Sequence, residues 1–434
     1  MESEETMLFK NITILDENLD VKENMYVGIK GDRIDYIGDK EPADDYGKAY
    51  DGKGKLLMSG FFNAHSHSPM TLMRGYGENL KLQDWLNTRI FPFEDHLDSN
   101  AVYWGTMLDL AEATKFGVVS TSDMYYFCPD MAKAYIEAGC KGNICRSIAA
   151  FAEEDFKTSV RGKECIEFYE GWHNAENGRI KVDMSLHAEY TSVPGVVKQL
   201  AEYTKELGVG MQVHVSESKT EHEECIGRHG KTPTAYLAEL GLFDTNATAA
   251  HCVWVTPEDR KILKEKGVTV ACNPISNLKL ASGVCNAPAM ISEGINLAIG
   301  TDSVASNNSH NIFSEMKVFA LIMKEHFMDP TLITPKEAIY AATRAGAVAQ
   351  GRLDSGLVKT GNKADLIVVD ISCANMQPVH NLLNNLVYSA SGAEIMMTMV
   401  DGNVLYENGE YTRIDLEKTI FEADAAKNKI LKEL

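Results

Sequence analysis

The stretch Phe61-Phe62-Asn63-Ala64-His65-Ser66-His67 follows the apolar run Leu56-Leu57-Met58, and the fold is decided by how it is read. Two histidines one residue apart share a face only in extended backbone, where side chains repeat with period two. On a helix the same pair would point about 200° apart. A strand ending in His-x-His therefore brings two imidazoles to one point, as a metal ion requires. The motif alone is weak, and further donors must come from elsewhere in the chain.

Outward from this segment, eight short apolar strand candidates end near His65, Asp123, Arg146, His187, His214, His251, Asn273 and Asp302. Amphipathic runs such as 102–115 and 197–207 lie between them. Thr232-Pro233 and Thr256-Pro257 each set a capping hydroxyl before a proline suited to the first helical position. Thr334-Pro335-Lys336-Glu337 adds the glutamate of a capping box. Strands alternating with helices at this count predict an α/β architecture, a (β/α)8 TIM-like barrel over residues 59–355. The ends read differently. Residues 7–55 and 356–412 hold short strands with Gly-Asp and Asp-Glu turns, and they predict one small β-sandwich domain built from both ends, 1–58 and 356–415. A final helix is expected over 416–434.

Composition narrows the partners. With 62 acidic against 42 basic residues the net charge is −20, which argues against a nucleic-acid polymer or an anionic membrane surface. A single nucleoside or base remains compatible. The nine cysteines are odd in number, scattered and without a Cys-x-x-Cys pair, so they read as reduced core thiols of a cytoplasmic protein. The acidic start Met1-Glu2-Ser3-Glu4-Glu5 is not expected to be a signal peptide. No apolar run reaches the length of about 18 residues needed for a membrane span.

The polar residues at the strand ends form a set. The first strand supplies His65 and His67, the fourth His187, the fifth His214 followed by Glu217, the sixth His251, and the eighth Asp302. Five of the chain's twelve histidines thus fall at one end of the strands, the face where a barrel collects its catalytic groups. His65, His67, His214 and Asp302 make a three-nitrogen, one-oxygen donor set for a single divalent metal. Such a set suits zinc first and iron second, and fits magnesium or calcium poorly. His251 and Glu217 are left as acid/base groups.

These residues carry a resemblance. The chain resembles the amidohydrolase superfamily, and within it the 5-methylthioadenosine/S-adenosylhomocysteine deaminase branch. The carrying segments are the sixteen residues from Gly60 to Gly75, then Asp84-Trp85-Leu86, Phe91-Pro92-Phe93-Glu94, Ala250-His251-Cys252, Asn273 to Leu280 and Gly300 to Asn308. The resemblance implies hydrolytic deamination of adenine nucleosides with a 5′ substituent, giving the 6-oxo purine and ammonia through a metal-bound hydroxide. It implies that His65, His67, His214 and Asp302 bind the metal. Glu217 would shuttle a proton to the ring nitrogen, His251 would polarise the water, and Asp302 would accept its proton. It further implies Glu94 as the ribose-binding glutamate, His187 as a substrate contact, Trp85 as a pocket wall, and Arg146 and Arg161 as arginines near the substrate tail. Binuclear members carry a carboxylated lysine on the fourth strand; none occurs in 182–187, so one metal per subunit is expected. The partner is then a small nucleoside, with association into homo-oligomers also expected.

Three departures from the family pattern stand out: Glu189 beyond the fourth-strand histidine, Ser303 and Val304 after Asp302, and His310 where an apolar residue is common. All are expected near the pocket mouth, where they would alter preference for the 5′ group. An alternative keeps the site and changes the ring, as in guanine or triazine aminohydrolases; Glu94 separates the two, because a free base offers no ribose. A barrel reduced to binding or assembly would have little use for both Glu217 and His251.

Overall fold

Strands buried on both faces need continuous apolar runs rather than alternation, and the barrel strands meet that demand; Val118–Tyr125, for instance, is buried along its whole length. A computed structural model describes residues 6–434, so the acidic start at 1–5 lies outside the described residues. The staves are Phe61–Ser66, Val118–Tyr125, Lys141–Ile148, Met184–Leu186, Met211–Val215, Ala247–His251, Thr269–Cys272 and Leu297–Ile299. They run parallel in sequence order, each bonded to the next. The fourth stave is broken: Ile180–Val182 pairs back to the third, and Met184–Leu186 carries the ladder on to the fifth.

Closure between the last strand and the first is made partly by side chains. The Asp302 N–H donates to the His65 carbonyl at 3.0 Å. The Asn63 amide donates to the Thr301 hydroxyl at 2.8 Å and accepts the Thr301 N–H at 3.0 Å. Gly300 permits this approach: a Cβ there would stand 2.4 Å from Asn273 Oδ1 and 2.9 Å from His65 Cβ.

The expected helix starts are present. Thr334 and Glu337 form a reciprocal box, Thr256 forms one with Asp259, and Thr232 accepts from the Ala235 N–H. Among the described residues the two chain ends build one continuous mixed sheet of nine strands. They meet where Leu366–Asp370 pairs antiparallel with Lys55–Ser59. Phe9, Ile14, Val27, Leu57, Val368 and Met397 pack into its core. The last helix, Leu416–Ile430, lies on the helix Ser99–Lys115. Among the described residues no helix is long and apolar enough to cross a membrane.

Candidate active site

The strand ends bring four donors together. His67 donates from Nδ1 to the Met124 carbonyl at 2.6 Å, and His214 from Nδ1 to the His187 carbonyl at 2.6 Å. Each bond fixes the tautomer and leaves Nε2 as a bare lone pair. Those two Nε2 atoms stand 3.4 Å apart. His65 Nε2 is buried with no hydrogen-bond partner. Asp302 Oδ1 lies 3.6 Å from it and 3.3 Å from His67 Nε2. Lone pairs converging in this way repel one another unless a cation sits among them. The donor set therefore fits a divalent metal, and imidazole nitrogens with one carboxylate suit zinc chemistry.

The other Asp302 oxygen, Oδ2, accepts from the hydroxyls of Ser276 at 2.5 Å and Ser306 at 2.9 Å. That turns Oδ1 towards the histidines. His251 bonds Asn277 Oδ1 through Nδ1 at 2.8 Å and sets Nε2 3.9 Å from Glu217 Oε2. Glu217 in turn depends on Glu221, whose carboxylate accepts the Ser216 N–H at 2.8 Å and the Glu217 N–H at 2.7 Å. The backbone turns sharply here: φ is +48° at Ser216, +70° at His251 and +58° at Asp302. Left-handed conformations are unfavourable for residues with a side chain, at about 1–3 kcal/mol each, and their clustering marks a site held in place by its surroundings.

Burial governs the protonation states. It holds His65 and His214 well below the ordinary imidazole range and His187 down to about 4. It raises Glu217, with His251 opposing the rise. Burial lowers His251, but the facing Glu217 carboxylate leaves it above its usual value. The Glu94 carboxyl is pushed up to about 7, chiefly by burial.

These groups open onto one cavity at the carboxyl-terminal end of the strands. His67, His187, His214, Glu217, His251 and Asp302 form its floor, and Trp85 and Glu94 stand in its wall. Trp85 and Glu94 come from the helical segment 82–94, which covers the strand ends. Arg146 sits one layer back, its guanidinium 4.9 Å from the Tyr126 ring centre and its Nε 2.7 Å from Glu164. It lines an adjoining groove that shares Glu94 and Tyr126 with the main cavity. Arg161 is not among the cavity's lining residues; it lies on the helix Val160–Trp172, 3.6 Å from Glu154.

Of the three departures from the family pattern, only Ser303 faces the pocket, and Val304 beside it is fully buried. Glu189 is drawn away into an ion pair with Arg228, 2.9 Å from its Oε2. His310 is not at the mouth: it is fully buried behind the last strand, paired with Asp109. A buried carboxylate or imidazole turns to the nearest partner of opposite charge, and neither partner was visible from sequence spacing. Ser276, Asn277, Ser306 and Glu221 also had no assigned role. The clue for the first two was the Asn273-Pro274-Ile275-Ser276-Asn277 run directly after the seventh strand.

The amidohydrolase family profile matches residues 56–405. A 5-methylthioadenosine/S-adenosylhomocysteine deaminase from Acetivibrio thermocellus is 39% identical over 432 residues, covering 98% of this chain and all of that one. Its counterpart from Dictyoglomus thermophilum is 38% identical over 426 residues, with 98% and 99% covered. Among solved structures, an adenosine deaminase from Xanthomonas campestris with bound zinc superposes at a TM-score of 0.92, with 28% identity and 98% of each chain covered.

Proposed function

The chain belongs to the amidohydrolase family, and on that premise we propose that it hydrolytically deaminates adenine nucleosides bearing a 5′ substituent. Methylthioadenosine and S-adenosylhomocysteine are the first candidates, with 5′-deoxyadenosine and adenosine behind them. The products are the inosine analogue and ammonia. The observation that carries the nucleoside reading is Glu94, a carboxylate in the wall of the same cavity as Glu217, His251 and Asp302. Placed there, it can accept hydrogen bonds from both ribose hydroxyls while the purine reaches the floor.

His65, His67, His214 and Asp302 would hold one metal ion, zinc by preference, which when bound supplies a water acidic enough to react near neutral pH. Asp302 accepts the proton of the attacking water. The Ser276 and Ser306 hydroxyls keep its carboxylate oriented for that task. Glu217, raised by burial yet facing His251, can give a proton to the ring nitrogen beside the attacked carbon. The imidazole of His251, fixed by Asn277, polarises the water and steadies charge as C6 becomes tetrahedral. The proton held by Asp302 then passes to the exocyclic nitrogen so that the C6–N bond breaks and ammonia leaves, and the C6 hydroxyl returns its proton to Glu217 as the 6-oxo group forms. His187 and Trp85 would position the base, and Arg146 the far end of the 5′ group. Arg161, on the helix Val160–Trp172, would have to swing from Glu154 before taking part in that subsite.

Zinc-loaded protein incubated with the four nucleosides should shift the purine absorbance and release ammonia. Absence of both with every one of them would sink the proposal. Should Glu94→Ala leave turnover and KM unaltered, a bare heterocycle would replace the nucleoside as substrate.

A further inference from the structure

We propose that His310, charge-balanced by Asp109, is a positioning residue for the metal-carrying seam: it holds the Thr301 hydroxyl, and through it Asn63, so that His65, His67 and Asp302 aim at one point. His310 and Asp109 form an ion pair in the core, 0% and 1% exposed, and neither lines the substrate cavity. Burying two charged groups costs several kcal/mol for each before their attraction is counted, and an apolar pair of similar volume often serves stability as well or better. Packing alone therefore gives no reason for these two residues.

The reason lies on the other side of the imidazole. His310 Nδ1 is 3.1 Å from Thr301 Oγ1. The same oxygen takes a hydrogen bond from Asn63 Nδ2 at 2.8 Å and lies 3.1 Å from the Asp302 carbonyl. A hydroxyl has one proton and two lone pairs. Its proton goes to the Asp302 carbonyl, and its lone pairs accept from Asn63 and from His310. That arrangement requires a proton on Nδ1, while Nε2 faces Asp109 as a second N–H. The ring is then an imidazolium, and Asp109 is its counter-ion. Burial opposes that charge, but Asp109 and Glu112 leave His310 above its ordinary pKa, with Arg74 pulling weakly the other way.

The hydroxyl sits where the ring of strands closes. Asn63 stands two residues before His65 and Thr301 one residue before Asp302, so the pair grips both ligand-bearing backbones. Asn63 Oδ1 accepts the Thr301 N–H at 3.0 Å and faces the His65 N–H at 3.4 Å. On the far side, the His310 N–H and the Ser309 hydroxyl both donate to Glu112, at 3.2 and 3.1 Å. Glu112 and Asp109 belong to the helix Ser99–Lys115. The loop after the eighth strand is thereby pinned to the helix layer, and His310 transmits that anchorage to the seam.

The inference rests on the metal-site reading and not on the identity of the nucleoside, so its test uses zinc alone. The double variant Asp109→Leu/His310→Leu replaces the pair with apolar groups. Zinc affinity, read by competition against a chelator, should weaken about 10–100-fold, as when an outer-shell partner of a ligand is lost. The melting temperature of the metal-free protein should stay near that of the parent. On a nucleoside found to be turned over, kcat should fall with KM unaltered. Parental zinc affinity in the double variant would overturn the assignment. If that variant does not fold, Thr301→Val keeps the volume, removes the hydroxyl and is read by the same competition. Weakened zinc binding supports the seam; unchanged binding overturns it.

Discussion

The two ends of the barrel treat buried charge in opposite ways. At the amino-terminal end of the third stave, Lys141 Nζ lies 2.6 Å from both oxygens of Asp365 and 2.7 Å from Asp401 Oδ1. Asp365 also accepts from the Ser355 hydroxyl at 2.9 Å and the Asp401 N–H at 3.0 Å. Arg352 fills neighbouring space by donating to the carbonyls of Gly178 at 2.8 Å and Arg179 at 2.9 Å. Here the chain supplies its own cations, and the result is a joint between the barrel and the chain-end sheet. At the carboxyl-terminal end, Asp302 and the bare nitrogens of His65, His67 and His214 converge with no lysine or arginine among the groups lining the cavity. A cluster of buried donors with a lysine among them is a fastening; one built only of imidazole nitrogens and a carboxylate is a donor set for a metal ion.

The sharpest way to break this comparison is to exchange the effects of the two ends. Glu217→Gln should lower kcat about 10²–10⁴-fold, the range for loss of a general acid/base, with little change in melting temperature. Lys141→Met should do the reverse. It leaves the buried Asp365 without its cation, Asp401 keeping Arg179 and Lys363 at 3.6 Å, and should cost about 3–5 kcal/mol in denaturant unfolding, while kcat per folded molecule stays at the parental value. A large loss of kcat in Lys141→Met would mean that the joint and the site are coupled.

Zinc should stabilise the parent, by about 2.7 kcal/mol when free zinc is a hundredfold above its dissociation constant. His67→Ala should lose most of that gain in a thermal-shift titration, whereas Lys141→Met should retain it. The smallest effect concerns Glu94. Burial pushes its carboxyl from the ordinary 4.5 up to about 7, so it is protonated below that pH and ionised above it. Only the carboxylate accepts from both sugar hydroxyls. KM for the nucleoside should therefore fall as pH rises through about 7, and Glu94→Gln should flatten that dependence. Because the folded pKa is the higher one, this group's contribution to stability is complete below 4.5 and declines as pH rises towards 7. The Gln variant should lack that slope in pH-dependent melting.

What could be read along the chain was periodic or adjacent. The strand ends at His65, His214, His251 and Asp302 were legible because each closes a short apolar run; the structure sets the last three on the cavity floor with His65 packed directly against them. Trp85 and Glu94 were legible through the resemblance and do enter the cavity wall. Glu189 and His310 were misplaced because their surroundings come from distant segments: Arg228 for the first, Asp109 and Thr301 for the second. Arg161, placed near the substrate tail by the resemblance, stands outside the cavity lining, where the helix surface offers it the Glu154 carboxylate at 3.6 Å. The chain ends announced strands, but only the pairing of Leu366–Asp370 with Lys55–Ser59 made one sheet of them.

By itself the sequence determined the staves and the donor types at their ends, because side-chain period and residue chemistry are local properties. Tertiary structure alone decided which nitrogen of each histidine is free, which Asp302 oxygen faces the histidines, and why Asn63, Thr301 and His310 stand behind them. Those choices depend on carbonyls, hydroxyls and carboxylates brought within hydrogen-bond range by closure of the barrel. His65 and Asp302, separated by most of the chain, become neighbours only when the last strand meets the first.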